Sequence, residues 1–267
     1  MPHPLFQGSF GLADTLRQRD PAAAIEQDRL MDEELACSGW AEWLQTRPQP
    51  SAVRNILVVL TAYPDAEETL QPLAAAMRSR HDVCVHIDAR PDVPRFAKVN
   101  EVVRSRGATM DWLVISDDDV AVRPNFLGRF ITAAETAGLV IAQPAHRIHS
   151  YATYAVTQRK PRSIVRSTSF VEIGPLVAIH RSVFWKMLPF PENRFGWGVD
   201  FLWADWARSN NWRIGMVDET PIEHLRPPNS TYSRADSLAE AQELLALHAP
   251  DIGRDQMRGD GKIVIGW

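Results

Sequence analysis

Three consecutive aspartates, Asp117, Asp118 and Asp119, follow the apolar run at residues 112–115 after a single serine. Neighbouring carboxylates repel one another by about 1 kcal/mol per close pair in water, so stability alone does not account for the triplet. While a strand lasts, its side chains alternate between faces, so Asp117 and Asp119 point one way and Asp118 the other. Two carboxylates at the end of a strand favour Mg²⁺ or Mn²⁺, the ions that accompany bound diphosphates. The alternative is a solvated acidic turn before the next helix.

A second candidate group is the segment 196–200, Gly-Trp-Gly-Val-Asp. Its two glycines let the backbone approach a ligand closely. Asp200 stands where a helical pattern begins, so its carboxylate is either a helix cap or a general base that removes a proton from an attacking hydroxyl.

Two further polar residues are candidates only if the fold brings them to the aspartates. His224 follows a strand pattern, and its imidazole is either a structural hydrogen-bonding group or a metal ligand. Glu172 precedes Gly174-Pro175 and is either a sugar contact or an ordinary charge on an edge strand.

The elements that position these residues alternate between strand and helix patterns. Strands are predicted at 56–60, 83–88, 111–116, 139–143, 170–180 (interrupted at Gly174-Pro175) and 212–217. Helices are predicted at 11–46 (with an early break at Pro21), 67–80, 95–106, 126–137, 201–209 and 237–248, with an irregular stretch at 145–168 and a linker at 47–51. This alternation predicts an α/β domain over residues 51–267, with a mostly parallel central sheet flanked by helices, and an N-terminal helical extension over residues 1–50.

The carboxyl ends of the first three predicted strands carry polar residues. Thr61 and Tyr63 follow the first strand, Asp88 ends the second, and the aspartate triplet ends the third. Ligands of parallel sheets collect at this edge, so we expect these side chains to meet at one site.

Composition narrows the classes of function. The 267 residues carry a net charge of −4, which gives no electrostatic case for binding nucleic acid. No apolar run approaches the roughly 20 residues of a transmembrane helix, and no secretory signal is evident, so a cytoplasmic location is expected, with peripheral membrane contact left open. A basic cluster at residues 159–166 is interpreted either as a solvated loop or as a contact for a phosphorylated or lipid-linked acceptor.

Taken in order, these segments resemble glycosyltransferases of the GT-A superfamily, particularly the family-2-like group, over residues 53–230. The triplet is similar to the DxD motif of that family, and segment 196–200 is similar to its acceptor-side acidic motif. The resemblance implies a GT-A, Rossmann-like fold. There are two departures: Val199 stands where the family usually has a second acidic residue, and the Gln-x-x-Arg-Trp motif of processive members is missing, which argues against a polymer-extruding synthase.

The resemblance also implies a nucleotide-sugar site. Asp88 would hydrogen-bond the nucleobase. The other residues implied to bind the nucleotide-sugar are Thr61, Tyr63, Lys98, Asn100, Asp117, Asp118 and Trp197. In this assignment either Lys98 or Asn100 borders the pocket, and Trp197 either stacks on a sugar face or packs in the core.

Metal and catalytic roles follow from the same resemblance. Asp119 and His224 would ligate Mn²⁺ or Mg²⁺, Asp117 would lie near the ribose or the metal, and Asp200 would act as the base. The expected function is therefore a metal-dependent transfer of a sugar from a UDP- or GDP-sugar to an acceptor hydroxyl, with inversion at the anomeric carbon if Asp200 is the base. The acceptor would be a glycan, a lipid-linked molecule or a protein.

Two other functions remain open from the sequence. One is a nucleotidyltransferase on a related sheet, although such enzymes generally need a glycine-rich phosphate loop and the first strand here is followed by residues 61–65, Thr-Ala-Tyr-Pro-Asp. The other is a catalytically inactive transferase-like binding protein that works through its N-terminal helices and a tryptophan-rich surface. The tryptophans of that surface would be Trp40, Trp43, Trp203 and Trp206.

Overall fold

The computed structural model describes residues 15–46, 53–63, 66–106, 109–227, 232–249, 251–253 and 261–267. The helices are α1 (Leu16–Arg19), α2 (Pro21–Cys37), α3 (Trp40–Thr46), α4 (Glu67–Ala76), α5 (Arg95–Arg106), α6 (Phe126–Ala137), α7 (Phe184–Met187), α8 (Val199–Ser209) and α9 (Arg234–His248). The strands are β1 (Asn55–Thr61), β2 (Asp82–Asp88), β3 (Trp112–Asp117), β4 (Val120–Ala121), β5 (Ile141–His146), β6 (Ser163–Thr168), β7 (Leu176–His180), β8 (Ile214–His224) and β9 (Lys262–Gly266).

The predicted α/β sheet flanked by helices is confirmed, and its strand order is β2-β1-β3-β7-β5-β8-β6-β9. β1 pairs in parallel with β2 and β3, and β5 pairs in parallel with β8. β7 lies antiparallel between β3 and β5. Because β7 is antiparallel to both β3 and β5, β5 runs in the same direction as β3, and so does its parallel neighbour β8. The carboxyl end of β8, with His224, therefore reaches the same edge of the sheet as Asp117.

Helices cover both faces of the sheet, which explains the continuous apolar runs of β1 and β3. Ile56 and Val58 pack in a core with α3, α4 and α6, whereas Leu57 and Val59 pack in a second core with α5 and α8. Trp40 and Trp203 are buried in these cores, at 6% and 0% exposed. Their burial argues against the tryptophan-rich binding surface.

The described part of the N-terminal extension contains three helices, with the predicted break before Pro21 and a second break between α2 and α3. Asp20 caps α2 by accepting a hydrogen bond from the backbone N–H of Ala23, and Pro21 is the first residue of the helix, where its missing N–H costs nothing. Residues 11–14 of the predicted helix and the predicted linker at 47–51 lie outside the described residues.

Three predicted segments differ from the structure. The irregular stretch at 145–168 contains β6, a strand whose neighbours β8 and β9 are distant in sequence. The strand predicted at 170–180 begins only at Leu176, and the strand predicted at 212–217 continues to His224. None of the described helices is both long and apolar enough to span a membrane.

Part of the basic cluster is buried rather than solvated. Arg166 on β6 and Asp218 on β8 are each 1% exposed, and Nε of Arg166 lies 2.8 Å from Oδ2 of Asp218. The hydroxyl of Ser163 and the backbone N–H of Lys160 also donate to Asp218, at 2.6 and 3.0 Å. Burial raises the pKa of Asp218, and the charge of Arg166 opposes that shift. Arg166 is therefore committed to this ion pair and is not free to contact an acceptor.

Replacing Arg166 with methionine should lower the free energy of unfolding by about 3–5 kcal/mol, because it leaves the carboxylate of Asp218 buried without its cation. Urea unfolding followed by circular dichroism measures the change. The matched control is Arg208→Met, since the Arg208 side chain is 62% exposed and pairs with Asp205 three residues away. A loss below about 1 kcal/mol in Arg166→Met would show that the pair is not the stabilising element described here.

Candidate functional site

A cavity of about 760 Å³ opens at the carboxyl ends of β1, β3 and β8. The sequence-predicted residues that line it are Thr61, Tyr63, Lys98, Asp117, Asp119, Glu172, Trp197, Asp200 and His224. The structure therefore brings together side chains that are up to 163 positions apart, from Thr61 to His224. Their individual roles stay predictions.

Asp119 and His224 form the contact at the centre of this edge. Oδ2 of Asp119 lies 3.1 Å from Nε2 of His224. The short strand β4 sets this geometry, because Val120 pairs with His224 and the backbone N–H of Leu225 donates to the carbonyl of Asp119 at 2.9 Å. The aspartate triplet is therefore held against the end of β8 by backbone pairing, independently of the side chains.

The pKa values of this pair move in opposite directions. Burial acts to raise the pKa of Asp119, but the hydrogen bond and charge of His224 and the charge of Arg226 outweigh it, and the pKa lies below its usual value. Burial acts to lower the pKa of His224, but the hydrogen bond to Asp119 and the charges of Asp119 and Asp117 outweigh it, so that pKa is raised. The pair thus has the character of an ion pair, with a negative carboxylate beside a protonated imidazole.

Arg226 lies two residues beyond His224 and binds two members of the triplet. Its Nε donates to Oδ2 of Asp119 at 3.1 Å, and its Nη2 contacts the carboxylate of Asp118. Its guanidinium carbon lies 5.4 Å from the centre of the Tyr63 ring. Asp118 also accepts the backbone N–H of Tyr63 at 2.8 Å and does not line the cavity, as the alternation of strand side chains predicted.

Asp117 faces the cavity between β1 and α5. The hydroxyl of Thr61 donates to Oδ1 of Asp117 at 3.2 Å. Nε of Arg95 lies 3.2 Å from the same oxygen, yet neither Nε nor Nη2 of Arg95 has a hydrogen-bond partner among the described residues. Although 33% of the Asp117 side chain is accessible, that carboxylate lies inside the cavity, and burial raises its pKa against the charge of Arg95.

Of three further predicted nucleotide contacts, Asp88 and Asn100 lie outside the cavity and Lys98 lines it. Asp88 does not line the cavity, and its carboxylate binds the guanidinium of Arg90, with Nη2 and Oδ2 2.6 Å apart. Lys98 does line the cavity, although its Nζ also donates to the backbone carbonyl of Asp88 at 3.2 Å. The side chain of Asn100 binds the backbone N–H and carbonyl of Phe190, which places it outside the cavity. Asn100 therefore holds a loop in place instead of bordering the pocket.

The segment 196–200 forms the far wall of the cavity. Gly196 and Gly198 have φ values of 85° and 91°, a backbone conformation that residues other than glycine rarely adopt. Neither glycine is among the residues that line the cavity, so the predicted close approach of this backbone to a ligand stays a prediction. Trp197 is 8% exposed, and its indole N–H donates to the hydroxyl of Tyr232 at 2.8 Å. Trp197 therefore combines core packing with an edge that faces the cavity.

Asp200 is not the N-cap of α8, which is Gly198. It is the second residue of the helix, is 4% exposed, and accepts the backbone N–H of Phe201 at 3.0 Å through Oδ1. Burial raises the pKa of Asp200 well above its usual value, and the charge of Glu172 raises it further. The Asp200 side chain thus lines the cavity beside Glu172, whose charge disfavours its ionisation.

Glu172 is the second carboxylate at this end of the cavity. Its Oε2 lies 3.6 Å from Nε2 of His146 and has no hydrogen-bond partner among the described residues. Its backbone N–H donates to the side chain of Gln143 at 2.7 Å, which fixes its position. The position directly before Asp200 is Val199 and not an acidic residue. The structure therefore supplies the acidic neighbour of Asp200 from another part of the chain.

The donor set suits a divalent cation only in part. Asp119 and His224 provide a carboxylate and an imidazole at one point, which fits two positions of the octahedral shell of Mn²⁺ or Mg²⁺. Across the described part of the chain, no three His, Cys, Asp or Glu side chains are grouped so that they could hold a metal ion by themselves. A metal at this point would therefore need further oxygen ligands from a phosphate group or water.

Sequence comparisons give no relative: no protein-family model matches this chain, and no curated protein matches it. Among solved structures, it is similar to the mannosyltransferase PcManGT from Pyrobaculum calidifontis in complex with GDP-Man and Mn²⁺, at 14% identity over 79% of this chain and 70% of that one, with a TM-score of 0.46. It is similar to TarS of S. aureus in complex with UDP-GlcNAc, at 14% identity over 74% of this chain and 67% of that one, with a TM-score of 0.48.

A third solved structure with similarity is GalNAc-T7 with UDP, GalNAc and Mn²⁺, at 11% identity and a TM-score of 0.48. The matched region is 73% of this chain but only 49% of that one.

Proposed function

We propose that this chain is a glycosyltransferase that moves a sugar from a nucleoside diphosphate donor to an acceptor hydroxyl. The observation that carries the proposal is the contact between Asp119 and His224 at the sheet edge, inside a cavity that is also lined by the buried carboxyl group of Asp200. One end of this cavity offers a carboxylate, an imidazole and guanidinium groups, and the other end offers a base. A reaction with an anionic leaving group and a hydroxyl nucleophile needs both.

The donor end of the cavity suits a diphosphate. Nε of Arg95 lies 3.2 Å from Asp117, but among the described residues neither Nε nor Nη2 makes a hydrogen bond, and buried donors of this kind are costly unless a ligand accepts from them. Arg226 brings a second guanidinium to the same end, and Arg binds phosphate oxygens in a bidentate manner. The ring of Tyr63 is 41% exposed at the cavity and provides a surface on which a nucleobase can stack.

Asp119 and His224 would hold the divalent cation that family resemblance implies, and Asp117 lies beside them. When bound, the cation would offset the negative charge that develops on the departing diphosphate. Because a ligand histidine must be neutral, the proton that Asp119 favours on His224 would leave before the imidazole coordinates.

The acceptor end suits proton removal. Asp200 takes the proton of the acceptor hydroxyl, the oxygen forms a bond to the anomeric carbon, and the bond from that carbon to the diphosphate oxygen breaks. The electron pair of the broken bond leaves with the nucleoside diphosphate. Attack from the side opposite the leaving group inverts the anomeric carbon.

Titration calorimetry with UDP, GDP and their sugar conjugates, each with and without Mn²⁺, tests the proposal. We expect one nucleotide to bind at least about tenfold more tightly with Mn²⁺, a difference of about 1.4 kcal/mol. Release of that nucleotide from its sugar conjugate, followed by chromatography, then tests turnover. Nucleotide binding without turnover on any acceptor would favour an inactive binding protein, and the absence of nucleotide binding in both conditions would reject the proposal.

A further inference from the structure

Helix α2 buries two of its acidic side chains against the domain. Asp28 is 2% exposed, and the side chain of Asp32 is 17% exposed. On the outer side of the same helix, Glu26 and Glu33 are 56% and 60% exposed and pair with Arg29. A carboxylate is buried at a high cost unless it is paired, so the inward side of α2 must meet specific cations and donors.

Most of those partners come from one segment, residues 147–159, which we call the clamp segment, and outside it the guanidinium of Arg123 also contacts the carboxylate of Asp32. Oδ2 of Asp28 accepts a hydrogen bond from the backbone N–H of His149 at 2.9 Å. The same oxygen lies 2.7 Å from Nδ1 of the His149 ring. Nη1 of Arg159 lies 3.3 Å from Asp28 and 2.9 Å from Asp32. Nη1 of Arg147 lies 3.0 Å from Asp32. Two aspartates of α2 therefore fix the clamp segment at both ends, through Arg147 and His149 at one end and Arg159 at the other.

The cluster has the character of paired charges. Burial acts to raise the pKa of Asp32, but the charges of Arg147 and Arg159 outweigh it, and the pKa lies below its usual value. Arg159 is 3% exposed, so its guanidinium is committed to the two aspartates and is not available to an acceptor. A small apolar cluster of Ala24, Met31 and Ile148 packs beside the charges.

The clamp segment in turn holds the end of β8 that carries His224. The backbone N–H of Arg147 donates to the carbonyl of Ile222 at 2.9 Å, and the hydroxyl of Ser150 accepts the backbone N–H of His224 at 2.7 Å. Nε2 of His149 lies 3.4 Å from the carboxylate of Glu223. A continuous chain of contacts therefore leads from Asp28 through His149 and Ser150 to His224.

The same segment forms part of the cavity wall. Thr153 and Tyr154 line the cavity, and Tyr154 packs against Phe170 and Phe201, with ring centres 4.9 and 6.4 Å apart. Phe201 follows Asp200 on α8. The clamp segment thus touches both ends of the site, at His224 on the donor end and beside Asp200 on the acceptor end.

We propose that α2 is a positioning element of the active site, in which Asp28 and Asp32 hold the clamp segment so that His224 and the wall at Thr153 and Tyr154 keep their places. This role rests on the proposed function, since it assigns His224 and the wall to a transferase site. Neither aspartate touches the cavity, so both act through other residues. The N-terminal helices are accordingly part of the working site and not a separate appendage.

The test compares two double variants of the full chain. Asp28→Asn with Asp32→Asn removes the inward charges and keeps the side-chain size, whereas Glu26→Gln with Glu33→Gln removes two outward charges from the same helix. Amide hydrogen exchange on the protein without ligands is the first measurement. We expect the inward variant to exchange faster throughout residues 147–159 and at 222–225, with α5 and β1 unchanged, and the outward variant to match the parent chain.

The second measurement is the affinity for Mn²⁺ in the presence of UDP or GDP. Loss of residues that orient a metal ligand typically costs 10- to 100-fold in metal affinity, so the inward variant should show a loss of that size, with nucleotide binding in the absence of Mn²⁺ unchanged. Unaltered exchange in the clamp segment of a folded inward variant would overturn the positioning role, whatever the protein binds. Faster exchange with an unaltered Mn²⁺ affinity would overturn the link to His224. A parent chain that binds no nucleotide instead rejects the proposed function, and it rejects with it the assignment of α2 to a transferase site.

Discussion

Replacing Asp119 with alanine is expected to lower Mn²⁺-dependent turnover of the nucleotide-sugar by at least about 10²–10³-fold, the usual cost of removing one group that stabilises charge in a transition state. Asp119 is the residue through which His224, Arg226 and the backbone of β8 are brought together. Its carboxylate is also the group whose lowered pKa keeps it negative and available to a cation. Among the described residues, Asp119 is the carboxylate that contacts the imidazole of His224.

The measurement pairs turnover with Mn²⁺ titration, and Asp82→Ala is the matched control, because Asp82 is an exposed aspartate at the opposite end of the sheet. The backbone pairing of β4 with β8 does not depend on the Asp119 side chain, so the variant should fold. Full Mn²⁺-dependent activity in Asp119→Ala would remove the assignment of this triplet to a metal site. Loss of activity together with loss of the cooperative unfolding transition would instead assign Asp119 a structural role.

The sequence predicts the part of the fold that local pattern determines. The apolar runs of β1 and β3 imply burial on both faces, and the polar residues after them mark the carboxyl edge where the cavity lies. The antiparallel insertion of β7 between β3 and β5 was not predicted, because an apolar run carries no information about the direction of its neighbour. The strands β6 and β9 were not predicted for a related reason, since each is stabilised by pairing with strands that are distant in sequence.

The same limit applies to the site. The aspartate triplet and His224 could be selected from residue types and order, and the structure places two of them in contact. Arg95 and Arg226 could not, because a single arginine at a helix start or after a strand has many structural explanations. These two arginines are distinguished from other arginines only by the structure. Arg95 has donors with no hydrogen-bond partner among the described residues, and Arg226 contacts two aspartates. Asp88 is the opposite case. The sequence selects it as a site residue, but in the structure its carboxylate is bound to Arg90.

The basic cluster at 159–166 illustrates how charge patterns mislead. Arg159 and Arg166 are both nearly inaccessible, and each is neutralised by aspartates that lie 52 or more positions away in sequence. A run of basic residues predicts an exposed surface, whereas here two residues of the run form ion pairs in the interior. In the proposed function these two arginines are therefore not acceptor contacts, and Thr153, Tyr154 and Arg194 on the cavity wall are the candidates for that contact.

Replacing Asp200 with asparagine should reduce kcat by about 10²–10⁴-fold, the usual contribution of a general base. Asparagine keeps the size of the side chain and can still accept the backbone N–H of Phe201, so the start of α8 is preserved. What is lost is the capacity to take a proton. Asp205→Asn is the matched control, because Asp205 lies on the same helix and pairs with Arg208 outside the cavity.

The pH dependence separates a base from a residue that only supports the helix. A base acts when deprotonated, and the pKa of Asp200 is raised by burial and by Glu172. Activity should therefore rise with pH through a value above the usual carboxyl range and then level off. Glu172→Gln removes the neighbouring charge, lowers the pKa of Asp200, and should move this rise to lower pH. A profile that stays in place, measured as kcat/KM from about pH 5 to 9, would show that Glu172 does not set the pKa of the base.

The pH dependence of folding stability is a second, independent test of the role of Asp200. Because the pKa of Asp200 is higher in the folded state than in the unfolded state, the unfolded chain releases this proton first, and folding stability falls as pH rises from the unfolded pKa towards the folded one. Asparagine has no proton to release, so Asp200→Asn should lose less stability over that window and be the more stable form at neutral pH. A variant that is inactive and more stable identifies a carboxylate kept for chemistry at the expense of folding, whereas an inactive and less stable variant would return Asp200 to a structural role in α8.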